Sequence, residues 1–412
     1  MEKTNKRFTP TLNSNVKKEM VHPGVYILGG MGNITVIETD IGFVLIDAGR
    51  TPEMAEALRN EIRSISDAPI HSIVYSHGHN GYNRAAWYFR EAAKADGEPE
   101  PRFVAHEKVS LRYRRYEETW QFQNYLNSNQ FRVPLEVLTK PQYTYPTVTF
   151  SDKLRLIMGD RIVEVLSAPS ETDDSVAVWL PEEKLLYTGP SMVSSCVNIG
   201  TPLRTQRDDA RWVNTLEKLV ALQPEILIPS FGNVLRGREE IQHILTNMAD
   251  GLKYLRREVV DRLNKGMNDV EILYDIEYPA EYFEQPWSVP TYGCPDMIVR
   301  DIYRSETGWW DRNPTSLHPD HPRDAASAIL SAISDRKTVI DMARNLMEEG
   351  KVQTALHVID ILALASDDDE DVKEAKKLKS KLLHLRSENL PSIVSQKLYL
   401  SHADSLDKED GE

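Results

Sequence analysis

Two histidines one residue apart, His77 and His79, are the side chains best suited to chemistry. They directly follow Ser72-Ile73-Val74-Tyr75-Ser76, a β-branched and aromatic run that reads as a strand. Two imidazoles just past a strand end can converge on one metal ion from a loop held by a rigid sheet. The same pair also describes two polar loop histidines, so the motif needs context. Other candidates read as structure. Gly29-Gly30-Met31-Gly32 lacks the Lys-Ser/Thr ending and the following helix of a phosphate loop, and reads as a β-turn. No Gly-x-Ser-x-Gly elbow is present for a nucleophilic serine. Cys196 has no sequence neighbour that marks a nucleophile and reads as a buried thiol. His106 reads as a structural histidine, and His318 and His321 as part of a Pro-rich turn. Arg112-Tyr113-Arg114-Arg115-Tyr116 reads as a partly exposed helix face.

The elements that must position His77 and His79 alternate strand-like and helix-like signals over the first ~270 residues, an α/β pattern. Val25–Leu28, Ile34–Glu38 and Gly42–Asp47 read as strands, the last two as a hairpin. Thr51–Ser64 has helical spacing, with Thr51 as the cap and Pro52 in the first turn. Arg161–Leu166, Ser175–Leu180, Lys184–Thr188 and Glu225–Pro229 read as further strands, with a helix over Asp208–Leu222. From Pro286-Trp287-Ser288-Val289-Pro290 the texture changes. Helices are expected over 323–332, 336–349, 351–365 and 372–387, the third with Ala355, Val358, Ile359 and Leu362 on one stripe. Asp367–Asp371 reads as an acidic turn whose carboxylates suit the start of the next helix.

Composition narrows the function classes. The 412 residues are 41% apolar and 27% charged, enough to bury a core. Forty-nine Lys and Arg against 63 Asp and Glu give a net charge of −14, which disfavours nucleic acid and anionic membranes as partners. Two cysteines, Cys196 and Cys294, allow no disulfide framework and no Cys-based zinc site. No apolar run reaches the ~18–20 residues that span a bilayer. The polar start Met1–Arg7 lacks an apolar signal core. A cytoplasmic protein is the expectation.

Taken in order, five segments carry a family resemblance. They are Leu45-Ile46-Asp47-Ala48-Gly49, Ser76-His77-Gly78-His79, Ala168–Asp174, Leu186-Tyr187-Thr188-Gly189 and Leu227–Gly232. Together they resemble the metallo-β-lactamase superfamily, and within it the alkylsulfatase branch. Tyr292–Arg304, Gly308-Trp309-Trp310-Asp311-Arg312-Asn313-Pro314 and the helix over 350–365 resemble the alkylsulfatase dimerisation domain. The resemblance implies an α/β fold, an αββα sandwich over 1–270, an all-helical dimerisation domain over 271–402, and a polar tail over 403–412. It implies a homodimer with a largely apolar interface, in which Trp309 and Trp310 belong to the core or the interface.

The family carries two zinc ions and hydrolyses sulfate esters with a metal-activated water. Here its His-x-His-x-Asp-His motif reads His77-Gly78-His79-Asn80-Gly81-Tyr82. Gly81 and Tyr82 replace two ligands, Pro190 replaces a carboxylate, and Phe231 replaces the last histidine. Gly, Pro and Phe cannot ligate through their side chains. The losses fall mostly on the second metal. What the resemblance leaves is one divalent ion, zinc or iron, with no second metal. Its ligands would be His77, His79 and a carboxylate among Glu171, Asp173 and Asp174. Tyr82 would assist catalysis or simply fill volume, and Asn198, Arg204 and Arg207 would orient a small anionic substrate. A divergent alkylsulfatase-like metallohydrolase is therefore the expectation. A non-catalytic dimeric binding or scaffold protein and a mononuclear metal lyase or oxidative enzyme are the alternatives.

Overall fold

The computed structural model describes residues 15–409, residue 368 excepted. The polar start Met1–Arg7, the chain end 410–412 and the middle of the acidic run at 368 lie outside the described residues. The chain divides into two compact units: one takes in the chain up to Trp120 together with Lys140–Glu306, the other Gln121–Thr139 with the chain from Thr307 on.

The first unit is built on two sheets. One runs β1 (Val16–His22), β2 (Val25–Gly29), β3 (Thr35–Ile37), β4 (Phe43–Ile46), β5 (Ile70–Val74), β6 (Arg102–His106) and β7 (Val148–Phe150), in that spatial order. The other contains β8 (Lys153–Met158), β9 (Arg161–Ser167), β10 (Val176–Leu180), β11 (Leu185–Tyr187), β12 (Ile226–Ile228) and β13 (Leu235–Arg236). Strands β4 to β7 pair in parallel, as do β11 and β12. The period of two explains the layering. On β4, Val44 and Ile46 face a core shared by both sheets, while Phe43 and Leu45 face the opposite way. That opposite face is covered by α1 (Pro52–Arg63), α2 (Ala86–Asp96) and α3 (Lys108–Glu118), through Leu58, Phe89 and Tyr113 among others. The outer face of the second sheet is covered by α5 (Asp209–Ala221) and α6 (Arg238–Leu263). Residues of α7 (Asp269–Asp275), α8 (Ala280–Phe283) and α9 (Pro295–Thr307) join the same core through Ile272, Phe283, Ile298 and Ile302. The result is the expected αββα sandwich. Thr51 caps α1 as read from the sequence, its hydroxyl accepting from Met54 N at 3.3 Å.

The second unit is helical. It contains most of α4 (Trp120–Phe131), then α10 (Pro314–Leu317), α11 (Pro322–Ser331), α12 (Arg336–Glu348), α13 (Val352–Ala363), α14 (Glu370–Glu388) and α15 (Ile393–Glu409). Leu330, Ile340, Ala355, Ile359, Leu362 and Leu382 form its core. The helices between 269 and 306 belong to the first unit instead, so the helical region expected from 271 is shared between the two. The polar tail expected from 403 gives way to helix as far as Glu409, because α15 buries the small Ala403 and Ser380 of α14 bonds Asp407 at 2.6 Å. Trp309 is 72% exposed in the single chain, so it is not a core residue.

Candidate metal centre

The centre lies at the carboxyl ends of parallel strands, where open α/β sheets gather their ligands. Just past β4, Asp47 adopts a left-handed φ of 65°. Its Oδ1 accepts from Ser76 N at 2.9 Å and from Asn83 Nδ2 at 2.7 Å, and Asn83 Oδ1 accepts from Ala48 N at 3.0 Å. These bonds tie the end of β4 to the histidine loop past β5. Burial pushes the Asp47 carboxyl up to about 6, against the bonds from Ser76, Asn83 and Tyr187 that favour its charge. Val176 N at the start of β10 donates to Ser76 O at 2.8 Å, which fixes the same loop to the second sheet. Gly78 is required between the histidines: a Cβ there would sit 2.6 Å from Asp174 Oδ2 and 2.9 Å from Arg112 Cδ.

His77, His79 and Glu171 each offer one ligand atom, and those atoms all lie within 4.8 Å of one another. Glu171 Oε2 is 4.0 Å from His77 Nε2 and 3.6 Å from His79 Nδ1. His77 is fully buried, and its Nε2 has no hydrogen-bond partner. Its Nδ1 is taken by Ser76 Oγ at 2.9 Å, which leaves Nε2 as the atom presented to the cluster. Burial first, then the adjacent His79, push His77 down to about 3, so its imidazole is neutral at pH 7. Burial also lowers His79, against the pull of Glu171. For Glu171, burial alone would raise the carboxyl, but Arg207 and then His79 hold it well below the usual carboxylate range.

Of the three carboxylates expected near the histidines, the structure brings in Glu171 and turns the other two away. Asp174 is fully buried and takes Arg112 Nε at 2.6 Å, together with the Thr172 hydroxyl. Asp173 takes Arg112 Nη2 at 2.5 Å and Lys108 Nζ at 3.4 Å. The helix is partly exposed as read, with Arg114 exposed, but the Arg112 side chain is only 9% exposed and clamps the loop that carries Glu171. Its partners lie 61 and 62 residues away, so local periodicity reveals the helix but not the clamp. Asp47 and Ser76 likewise gain their roles only when two loops meet.

Asn198 and Arg207 sit beside Glu171. Asn198 Nδ2 donates to Glu171 Oε1 at 2.9 Å, and Arg207 Nη1 lies 3.0 Å from the same oxygen. Arg207 also donates to the Asn198 carbonyl, so the two hold each other. Arg204 is close enough to Arg207 and Glu171 to feel both, and burial lowers its guanidinium.

The opposite side of His77 is aromatic. The Tyr82 ring lies 4.2 Å from the His77 ring at 60°, and Phe231 lies 6.4 Å from Tyr82. Tyr82 is 7% exposed, and its carbonyl accepts from Gly49 N at 2.8 Å. Burial, then the Glu171 charge, raise its phenol well above the usual range, so it stays protonated. Gly81 has a φ of 114°, a conformation L side chains rarely adopt, and Pro190 is buried in a short 3₁₀ turn over Gly189–Ser191.

The donor set fits a divalent metal. Two neutral imidazoles and one ionised carboxylate suit zinc or non-haem iron, and the buried, unpartnered His77 Nε2 is what an absent ligand bond leaves. Both the histidine and the carboxylate have their other polar atom bonded, as ligands in metal sites do.

Known proteins agree with this architecture. Residues 27–230 match the model of the metallo-β-lactamase superfamily, and residues 268–409 that of alkyl sulfatase dimerisation. The chain is 26% identical over 378 residues to a linear primary-alkylsulfatase of Pseudomonas sp., taking in 86% of this chain and 71% of that one. It is 22% identical over 375 residues to an alkyl/aryl-sulfatase of Saccharomyces cerevisiae, at 85% and 58% of the two lengths. It is 23% identical over 404 residues to an (R)-specific secondary-alkylsulfatase of Pseudomonas sp., at 90% and 60%. The chain thus spans 58% to 71% of the length of these curated relatives. In fold it is similar to the solved stereoselective inverting sec-alkylsulfatase of Pseudomonas sp., with a TM-score of 0.81, 21% identity, and coverage of 95% of this chain and 65% of that one. The chain belongs to the metallo-β-lactamase superfamily, carries an alkylsulfatase dimerisation region behind that domain, and is homologous to the alkylsulfatases.

Proposed function

We propose that this protein is a metal-dependent hydrolase of small sulfate esters whose centre is reduced to one divalent ion, zinc or iron, held by His77, His79 and Glu171. The observation that carries it is the convergence of those three side chains around an orphaned, buried imidazole nitrogen. The alkylsulfatase homologues supply the substrate class. A divalent ion bound there supplies a water with a pKa lowered to about 7 and hence a nucleophile at neutral pH. The chain's own residues do the rest. Ser76 fixes which His77 nitrogen faces the site. Asn198 and Arg207 keep Glu171 ionised and turned so that Oε2 faces the histidines. Arg112 and Asp174 lock the loop on which Glu171 sits. Tyr82, held protonated, is the donor for the leaving oxygen. Arg204 attracts the anionic substrate to the rim of the site.

The reading includes a homodimer formed through the dimerisation region, supported by the family match over 268–409. It also includes a cytoplasmic setting, which two free, buried thiols support. Among the described residues, no helix is long and apolar enough to cross a membrane. One observation favours a second reading, a binding protein without catalysis: Arg207 and Asn198 already neutralise and bond Glu171, and Tyr82 with Phe231 closes the other side.

The test is sulfate release from a series of primary and secondary alkyl sulfates, measured by ion chromatography on zinc-loaded and iron-loaded protein. The hydrolase reading expects release from one class of ester, abolished by Glu171→Gln. Absence of release with every ester and both metals refutes it and leaves the binding protein.

A further inference from the structure

Glu171 also lines a cavity of about 240 Å³ whose wall includes neither His77 nor His79. Small-molecule sites usually occupy ~300–1,000 Å³, so this one suits a compact group rather than an extended ligand. Its wall is almost wholly polar and carries four arginines: Arg112, Arg115, Arg207 and Arg211. Two of them are accounted for. Arg112 pairs with Asp173 and Asp174, and Arg207 pairs with Glu171. The other two have no matching charge, although the Arg115 guanidinium lies over the Tyr116 ring at 5.2 Å. Among the described residues no carboxylate lies within ion-pair distance of Arg115 or Arg211, and Arg211 Nε is buried without a hydrogen-bond partner.. This surplus of positive charge stands in a protein of net charge −14, where an unmatched arginine could readily find an acidic neighbour. Ser170 and Thr205 add hydroxyl groups to the same wall, while the Thr172 hydroxyl is already given to Asp174.

Two guanidiniums facing one small polar cavity repel each other, and a buried Nε–H without an acceptor carries a desolvation cost. A bound oxyanion removes the first penalty, because the guanidinium fork donates parallel bonds to sulfate, phosphate or carboxylate oxygens. We infer that this cavity is an oxyanion-binding site in which Arg115 and Arg211 hold the anion. It contains neither histidine, and it shares the Arg207–Glu171 pair and the Arg112 clamp with the metal centre. The site does not depend on a metal being bound, so it stands or falls separately from the hydrolase reading.

The experiment is isothermal titration of the full chain with sodium sulfate at low, fixed ionic strength. Wild type, Arg115→Gln/Arg211→Gln, Arg115→Lys/Arg211→Lys and His77→Ala/His79→Ala are compared. Wild type is expected to bind about one sulfate per chain. The Gln pair should weaken binding by about tenfold or more, and the Lys pair by a smaller factor, because charge remains but the fork is lost. The histidine pair should weaken binding much less than the Gln pair, because neither histidine lines the cavity and they reach it only through Glu171. Displacement of sulfate by an alkyl sulfate assigns the cavity to the head group of the ester; no displacement assigns it to a free oxyanion. No saturable binding in wild type overturns the proposal. So does a Gln pair that is folded by circular dichroism yet binds like wild type. Should the Gln pair fail to fold, a Lys pair with unchanged affinity overturns it equally.

Discussion

The two sides of His77 are built from different materials. One side is polar and supported in depth: Glu171 and His79 face the imidazole, Asn198 and Arg207 hold Glu171, and Ser76 holds His77 itself. The other side is Tyr82 against Phe231. Both sides rest on the same sandwich, so the scaffold does not by itself decide what the site holds. What distinguishes them is the second layer of bonds. A carboxylate is fixed beside histidines only where other residues take its remaining oxygen and pay its desolvation cost. On the aromatic side ring packing fills the volume instead.

The comparison can be broken where its polar side is anchored. Arg112→Met should have the largest effect, leaving Asp174 buried without its counter-charge. Breaking such a buried pair costs ~3–5 kcal/mol, read as a lower urea midpoint with an unchanged slope. A loss under ~1 kcal/mol, typical of a surface pair, would show that the clamp is not needed. Tyr82→Phe comes next and sharpens the contrast. Metal content and melting temperature should stay at wild-type values while sulfate-ester turnover falls by about a hundredfold, or ~2.7 kcal/mol. If Tyr82 only fills space, turnover will not change. Asn198→Ala should weaken metal affinity about 10- to 100-fold through Glu171, measured by competition with a chelator. The smallest effect belongs to Gly81→Asp. It places a carboxylate on the aromatic side but at a φ of 114°, so ~1–2 kcal/mol of destabilisation is expected, with no second metal gained.

Much of the architecture is legible in the chain. β-Branched runs between turn formers mark β2 to β5 and β9 to β12, and the Thr51-Pro52 start marks α1, because these signals are local. The strand ending on His77 locates the centre for the same reason. The choice among Glu171, Asp173 and Asp174 is not legible. Three carboxylates within four residues of a loop differ only in which neighbour each meets, and those neighbours, Arg207 and Arg112, come from other parts of the sequence. Arg112 shows the same limit, since helical spacing reveals a face without its partner. Strand β1 escapes notice because Lys17, Lys18 and Glu19 make it read as a polar segment, yet it completes the sheet edge by backbone pairing with β2. The last helix escapes because its apolar contacts, Val394, Tyr399, Ala403 and Leu406, are spread thinly among polar residues.

The central claim is that one metal ion sits between His77, His79 and Glu171. Its most direct test is metal per chain, by inductively coupled plasma mass spectrometry, on protein purified without added metal or chelator, compared with the His77→Ala/His79→Ala variant. The account predicts about one zinc or iron per wild-type chain and none in the variant. About two metals per wild-type chain would contradict the reduced centre. No metal after incubation with zinc, iron and manganese, or equal metal in wild type and variant, would contradict the site itself.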